Sequence, residues 1–272
     1  MNALYRPLFG SRTPILPHAT ATACSLLLCW SFSTLAQPAT VEQESVWGLG
    51  VGVVSSQKAY KSIDRDTSVM PLLHVDNRYF HFFGTGLELK LPGLALSETQ
   101  RLNFGLIGRY DGAGYHADDS PVLDGMAERK GGLWGGVRIE WQTALVNLHA
   151  DWTHDVSGNS KGQQIALAAD RSWRIGDSVT LTPRFGLTWH DDKYTDYYYG
   201  VRAEEARAGR PAYQGEAGID VEIGMRAIYA FNPHHAVMFD VQATRLSTEI
   251  GDSPITERTT ENRFFLGYAY YF

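Results

Sequence analysis

From Val179 to His190 the chain alternates strictly: Val179, Leu181, Pro183, Phe185, Leu187 and Trp189 fall on one face, and Thr180, Thr182, Arg184, Gly186, Thr188 and His190 on the other. A period of two marks a β-strand, and this one has an oily face and a polar face. The same lattice starts again at Trp47, Leu102, Leu133, Val146, Ile165, Val221, Val237 and Phe264. Most of these segments have the roughly 9 to 11 residues that a tilted strand needs to cross a bilayer. From Gln37 onward no stretch approaches the roughly 18 apolar residues expected of a spanning helix. If the chain is in a membrane, it crosses with strands.

A soluble β-sandwich also alternates, but three features favour the membrane. The polar face carries Arg109, Arg138, Glu140, His149, Asp151, Arg184, Asp220, Glu222, Arg226 and Asp240. That is too much charge for a sandwich core, whereas a barrel lumen lets such groups pair and meet water. Trp47, Trp141, Trp152, Trp173 and Trp189 lie on the apolar face near strand ends, where an aromatic girdle at the headgroup boundary needs them. Finally, Phe264, Leu266, Tyr268, Tyr270 and Phe272 put an aromatic or apolar residue at every second position up to the last. A strand of this kind is expected to close the barrel on Trp47–Val53 and to serve as the signal for the barrel assembly machinery, its oily face against outer-membrane lipid. The expected fold is all-β, a transmembrane antiparallel barrel with an even number of strands.

Loop lengths orient it, because periplasmic turns are short and outside loops long. Gln142-Thr143, Ile175-Gly176-Asp177 and Asn232-Pro233-His234 belong inside, and 112–131, 156–161, 191–216 and 248–259 outside. Reading Thr67 to Phe83 as one long strand, followed by an inner connection at Leu91-Pro92-Gly93, gives ten strands. Splitting it near Asp76-Asn77 and adding a strand at Asp192–Val201 gives twelve but leaves a long periplasmic loop, so ten is the expected number. Within the outer loop, the helix formers of Ala203–Ala208, ended by Gly209, predict a short helix.

The N-terminal 36 residues contain Arg6 and Arg12 but no Asp, Glu or Lys, and an apolar stretch densest at Leu26–Trp30. This is a secretory leader, with Thr34-Leu35-Ala36 as the expected cleavage site before Gln37. Residues 1–36 are thus expected to be a signal peptide and 37–272 the outer-membrane barrel. Cys24 and Cys29 both lie in the leader, so the mature chain has no thiol chemistry. Loss of the leader's two arginines moves the net charge from −6 to −8, which argues against nucleic acid as a partner. The composition, 44% apolar and 20% charged, excludes disorder.

Little in the chain points to catalysis. His149 with Asp151, and His190 with Asp191-Asp192, have the residue types of a general base, but neither has a serine with a nucleophile signature nearby. A lumenal network of hydrogen bonds and ion pairs is the expected use of these groups. His234-His235 and Asp118-Asp119 are too sparse for a metal site. No catalytic residue, cofactor or metal is expected.

Several motifs resemble the MipA/OmpV family, the MltA-interacting proteins of the outer membrane. They are Tyr198-Tyr199-Gly200-Val201, Glu204–Ala208, Gly209-Arg210-Pro211-Ala212-Tyr213, Gly251-Asp252-Ser253-Pro254-Ile255 and the closing Gly267–Phe272. Met70-Pro71-Leu72, Tyr79–Phe83 and Gly108-Arg109-Tyr110-Asp111 are also similar, so the likeness runs with gaps over the mature chain. Leu246–Ile250 departs from the family pattern. The resemblance implies a non-enzymatic scaffold linking a lytic transglycosylase to a murein synthase in peptidoglycan growth. A periplasmic partner would meet the inner turns and residues 37–45. The barrel itself suggests an alternative, a small-solute channel.

Overall fold

A computed structural model describes residues 45–272; the leader and the Ala36–Gln37 site lie outside the described residues. The chain forms β1 (Val46–Gln57), β2 (Asp66–Asp76), β3 (Phe80–Phe83), β4 (Gly86–Ser97), β5 (Gln100–Asp111), β6 (Gly132–Gln142) and β7 (Asn147–Asp155). There follow β8 (Gln163–Asp170), β9 (Trp173–Ile175), β10 (Val179–His190), β11 (Gly218–Asn232), β12 (His235–Arg245) and β13 (Thr260–Tyr271). All pair antiparallel, and β13 returns to β1 in a register running from Gly48 opposite Tyr271 to Gln57 opposite Asn262. The sheet is therefore a closed barrel, which leaves no backbone ladder open at the β1–β13 seam. β8 and β9 both lie along β10 and make one interrupted stave, so the wall has twelve staves.

Ten was the expected number, and the correction lies between Asp76 and Ser97. The Asn77 carboxamide oxygen accepts the amides of Tyr79 (2.8 Å) and Phe80 (2.9 Å), an Asx turn that reverses the chain where one long strand was expected. A second reversal follows at Gly84, whose φ of 60° lies in the left-handed region. Leu91-Pro92-Gly93 is not a turn but a bulge inside β4. Leu91 pairs with Phe104 and Leu94 with Leu102, one extra residue on the β4 side. The bulge shifts the phase of alternation: Leu87, Leu89 and Leu91 face outward before it, Leu94 and Leu96 after it. The twelve-strand alternative has the right count and the right split near Asp76-Asn77, but its other added strand, at Asp192–Val201, is absent: Asp192–Tyr199 is helical.

Elsewhere the faces are as the alternation predicts. Leu49, Val51, Val137, Ile139, Leu167, Phe185, Ile223 and Phe239 are exposed on the outer face, as lipid contact requires. Trp47, Trp141, Trp152 and Trp173 are exposed there too, whereas Trp134 points inward and is buried. No helix among the described residues is long and apolar enough to cross a membrane. β3 is short and pairs with β2 only from His74 to Asp76, so among the described residues Asp66–Leu72 have a strand partner on the β1 side alone. Pro71, which has no N–H to donate, sits in this edge.

Candidate functional site

The outer mouth is roofed. Loops 58–65, 112–131, 191–217 and 246–259 leave the ring at separate points and meet over the lumen. Ala59, Tyr60, Tyr115, Leu123, Tyr194, Tyr198, Ile250 and Ile255 form their shared buried core. The Tyr60 ring stands edge-on to Tyr115 at 5.0 Å and stacks on Tyr199 at 5.3 Å. Polar contacts tie the loops to one another: Tyr60 Oη donates to the Tyr198 carbonyl (3.2 Å), Ser253 Oγ to that of Tyr199 (2.6 Å), and Tyr213 Oη to that of Glu249 (2.6 Å).

Local sequence explains the helices of this cap. Helix α1 (Asp192–Tyr199) is N-capped by Asp191, whose carboxylate accepts the Tyr194 amide at 3.0 Å. Helix α2 (Thr248–Gly251) is capped by Ser247, so the segment that departs from the family pattern still folds into the roof. The helix expected at Ala203–Ala208 is only a 3₁₀ turn, Ala203–Glu205. Tertiary contacts override its propensity. Glu205 turns inward to take Arg129 Nη2 (2.8 Å) and the amides of Ala127 (2.9 Å) and Arg202 (3.1 Å), while Gly209 bends the chain back so that Arg207 pairs with Arg210. Burial disfavours the Glu205 carboxylate, yet the Arg129 hydrogen bond and those two amides outweigh it and hold the group below the ordinary glutamate range. Burial pushes the Tyr115 phenol up to about 12, so it stays a neutral member of this core.

Below the roof, all ten charged residues assigned to the lumen face are buried. They form short ion-pair groups. Arg138 Nε meets Asp151 at 2.7 Å and Nη1 meets Glu88 at 3.2 Å. Arg184 bridges Glu222 (3.0 Å) and Asp240 (2.7 Å), and Arg226 reaches Asp240 at 3.1 Å. Arg109 on β5 contacts Gln164 on β8, spanning two intervening staves. The histidines find carboxylates that sequence spacing does not suggest: His149 pairs with Asp170 (2.7 Å) rather than Asp151, and His190 with Asp220 (3.1 Å). His190 also stacks on Tyr194 at 4.3 Å, while Asp191 is occupied in capping α1. Both histidines thus belong to a structural network.

At the opposite end, His234 Nδ1 lies 2.9 Å from the Tyr271 carbonyl and His235 Nδ1 2.5 Å from Tyr268 Oη. The two rings clamp the last strand instead of pairing with each other. Asp119 is likewise used locally, accepting the His116 amide at 2.8 Å. Phe264, Leu266, Tyr268 and Phe272 face outward, and the Phe272 amide donates to the Trp47 carbonyl at 3.0 Å. Nearby, His74, Asp76 and His81 bring two ring nitrogens and a carboxylate oxygen within 4.8 Å of one another. Sequence reading passed over this trio. His74 and Asp76 share a face by alternation, but only the unexpected turn at Asn77 brings His81 opposite Asp76.

Comparison with known proteins gives a consistent picture. The model of the family described as MltA-interacting protein MipA matches residues 49–272. The MltA-interacting protein of Escherichia coli K12 is 27% identical over 246 residues, covering 88% of this chain and 95% of its own. Outer membrane protein Omp26La of Vibrio anguillarum is 26% identical, with 84% and 88% covered. Outer membrane protein OmpV of Vibrio cholerae is also 26% identical, with 84% and 88% covered.

Proposed function

The chain belongs to the MltA-interacting protein family of outer-membrane barrels, and on that premise we propose that it is a non-enzymatic scaffold that holds murein-processing enzymes at the outer membrane. The observation that carries this reading is the roof: four outer loops interlock over the mouth around a buried apolar core, so the barrel is built as an anchored platform more than as an open pore. The partners proposed are a lytic transglycosylase and a murein synthase, met by the periplasmic turns and by residues 37–45. Immobilised protein should retain both enzymes from membrane extract. A heat-modifiable, folded barrel that retains neither would refute the proposal.

Twelve staves rather than ten favour a second reading, a small-solute channel, because lumen width grows with strand number. In a planar bilayer the scaffold reading expects no discrete conductance steps while the roof is intact. Reproducible steps from the unmodified protein would put the channel first. We further propose that Phe264, Leu266, Tyr268, Tyr270 and Phe272 are read by the barrel assembly machinery, and that the leader is cut between Ala36 and Gln37. N-terminal sequencing of the membrane form tests the latter: a chain beginning anywhere but Gln37 rules that site out.

A further inference from the structure

We propose that His74, Asp76 and His81 bind a divalent transition-metal ion of the zinc type at the periplasmic end of the lumen. Alternation along β2 sets His74 and Asp76 on the same inward face, and the tight Asn77 turn brings β3 back so that His81 stands opposite Asp76 in the ladder. The three donors come from two hydrogen-bonded strands and so are held by rigid backbone. His81 Nδ1 is already 3.3 Å from Asp76 Oδ2, and all three donor atoms lie within 4.8 Å of one another. Ligands of a tetrahedral zinc ion stand about 3.3 Å apart, given bonds of roughly 2.0 to 2.1 Å. To hold such an ion the three donors must draw together by up to about 1.5 Å from their 4.8 Å spread.

The donor chemistry selects the ion. Two imidazoles and one carboxylate suit zinc and its neighbours, whereas magnesium and calcium prefer oxygen alone. Three protein ligands leave a fourth position open to water or to a donor from another molecule. The Phe83 and Tyr271 rings pack T-shaped against the His74 ring, 5.7 and 5.6 Å between centroids. Lys90 is the built-in competitor. Its ammonium pairs with Asp76 Oδ1 and donates to the Asn77 carbonyl at 2.9 Å, which leaves Oδ2 toward His81. Its charge opposes a dication, so removing that charge should tighten binding.

The test uses protein purified from outer membranes without an affinity tag, stripped with a chelator and titrated with Zn2+ in a calorimeter. One ion per barrel is expected, with Mg2+ giving no heat. His74→Ala and His81→Ala should each weaken binding at least about tenfold, given that even supporting residues of metal sites contribute 10- to 100-fold. Lys90→Gln should strengthen it severalfold. His234→Ala with His235→Ala, which removes the rival imidazoles in the neighbouring turn, should leave it unchanged. Heat-modifiable migration checks that each variant is folded; should His74→Ala not fold, His81→Ala and Lys90→Gln decide. Absence of zinc binding by the unmodified protein, binding undiminished in folded His81→Ala, or loss of binding with the His234/His235 pair would each overturn the assignment.

Discussion

Two sectors of the barrel wall differ in how tightly they are specified. From β10 round to β1 the ladders are long and almost uninterrupted: Val179 to His190 all find partners on β11, and β13 pairs with β12 and β1 over nearly its whole length. From β2 to β4 the wall is patched together. β3 has four residues, β4 carries the bulge at Pro92-Gly93, and the outer half of β2 is paired on one side. The cap compensates at the top of this sector, where Lys58 Nζ donates to the Gly114 carbonyl (2.8 Å) and Ser120 Oγ to that of Lys61 (2.7 Å). A closed barrel therefore tolerates an irregular sector when loops brace it, while the seam that completes the ring stays regular.

The largest expected effect is at the seam. Deleting Phe272, or adding a charged tail after it, should abolish most heat-modifiable barrel and deplete the outer-membrane fraction, because backbone amides left unpaired in hydrocarbon cost several kcal/mol each. An equal deletion at the tip of loop 112–131 should spare both. Normal surface levels of the Phe272 deletion would count against the closing role.

Next comes Gly50 on the same seam, where a Cβ would stand 2.1 Å from the Tyr268 carbonyl oxygen. Gly50→Val should destabilise the barrel by about 3 kcal/mol, the upper end of overpacking costs, since backbone must move. The readout is the urea midpoint in detergent; an unshifted midpoint shows that the seam is looser than described.

The brace over the weak sector should respond to acid. The folded Glu205 pKa is depressed, so its contribution is complete above the ordinary value near 4.5 and is lost as pH falls through the lower, folded value. Proteolysis of loops 112–131 and 191–217 by an acid protease should therefore quicken as pH falls below the ordinary glutamate value near 4.5. Arg129→Ala should open the same loops at neutral pH, because the buried Glu205 carboxylate then keeps only the Ala127 and Arg202 amides, at a cost of about 2 kcal/mol. Equal cleavage of variant and parent would remove the ion pair from the account of the roof.

The smallest effect belongs to the irregular sector itself. Val69 is exposed on the edge of β2 that, among the described residues, lacks a second strand partner, so Val69→Ala should shift stability by no more than about 0.5 kcal/mol. A large change in the urea midpoint there would mean that the edge is held more firmly than its pairing indicates.

Alternation alone determined much of this molecule. A period of two is local, so it can be read wherever a strand keeps its phase, as in β10, β11 and β13, and the lipid and lumen faces follow from it. It failed where the phase breaks: the β4 bulge reads as a turn, and four residues of β3 are too few to show a period. The helix of the outer loop was misplaced because propensity at Ala203–Ala208 is weak beside the gain from burying Glu205 against Arg129, while α1 depends on the Asp191 cap. Only tertiary structure decided which lumenal charges pair, that His149 meets Asp170 and His190 meets Asp220, and that His81 joins His74 and Asp76. Those contacts depend on which strands become neighbours and in what register, a choice made by the closure of the whole ring and by no segment of it alone.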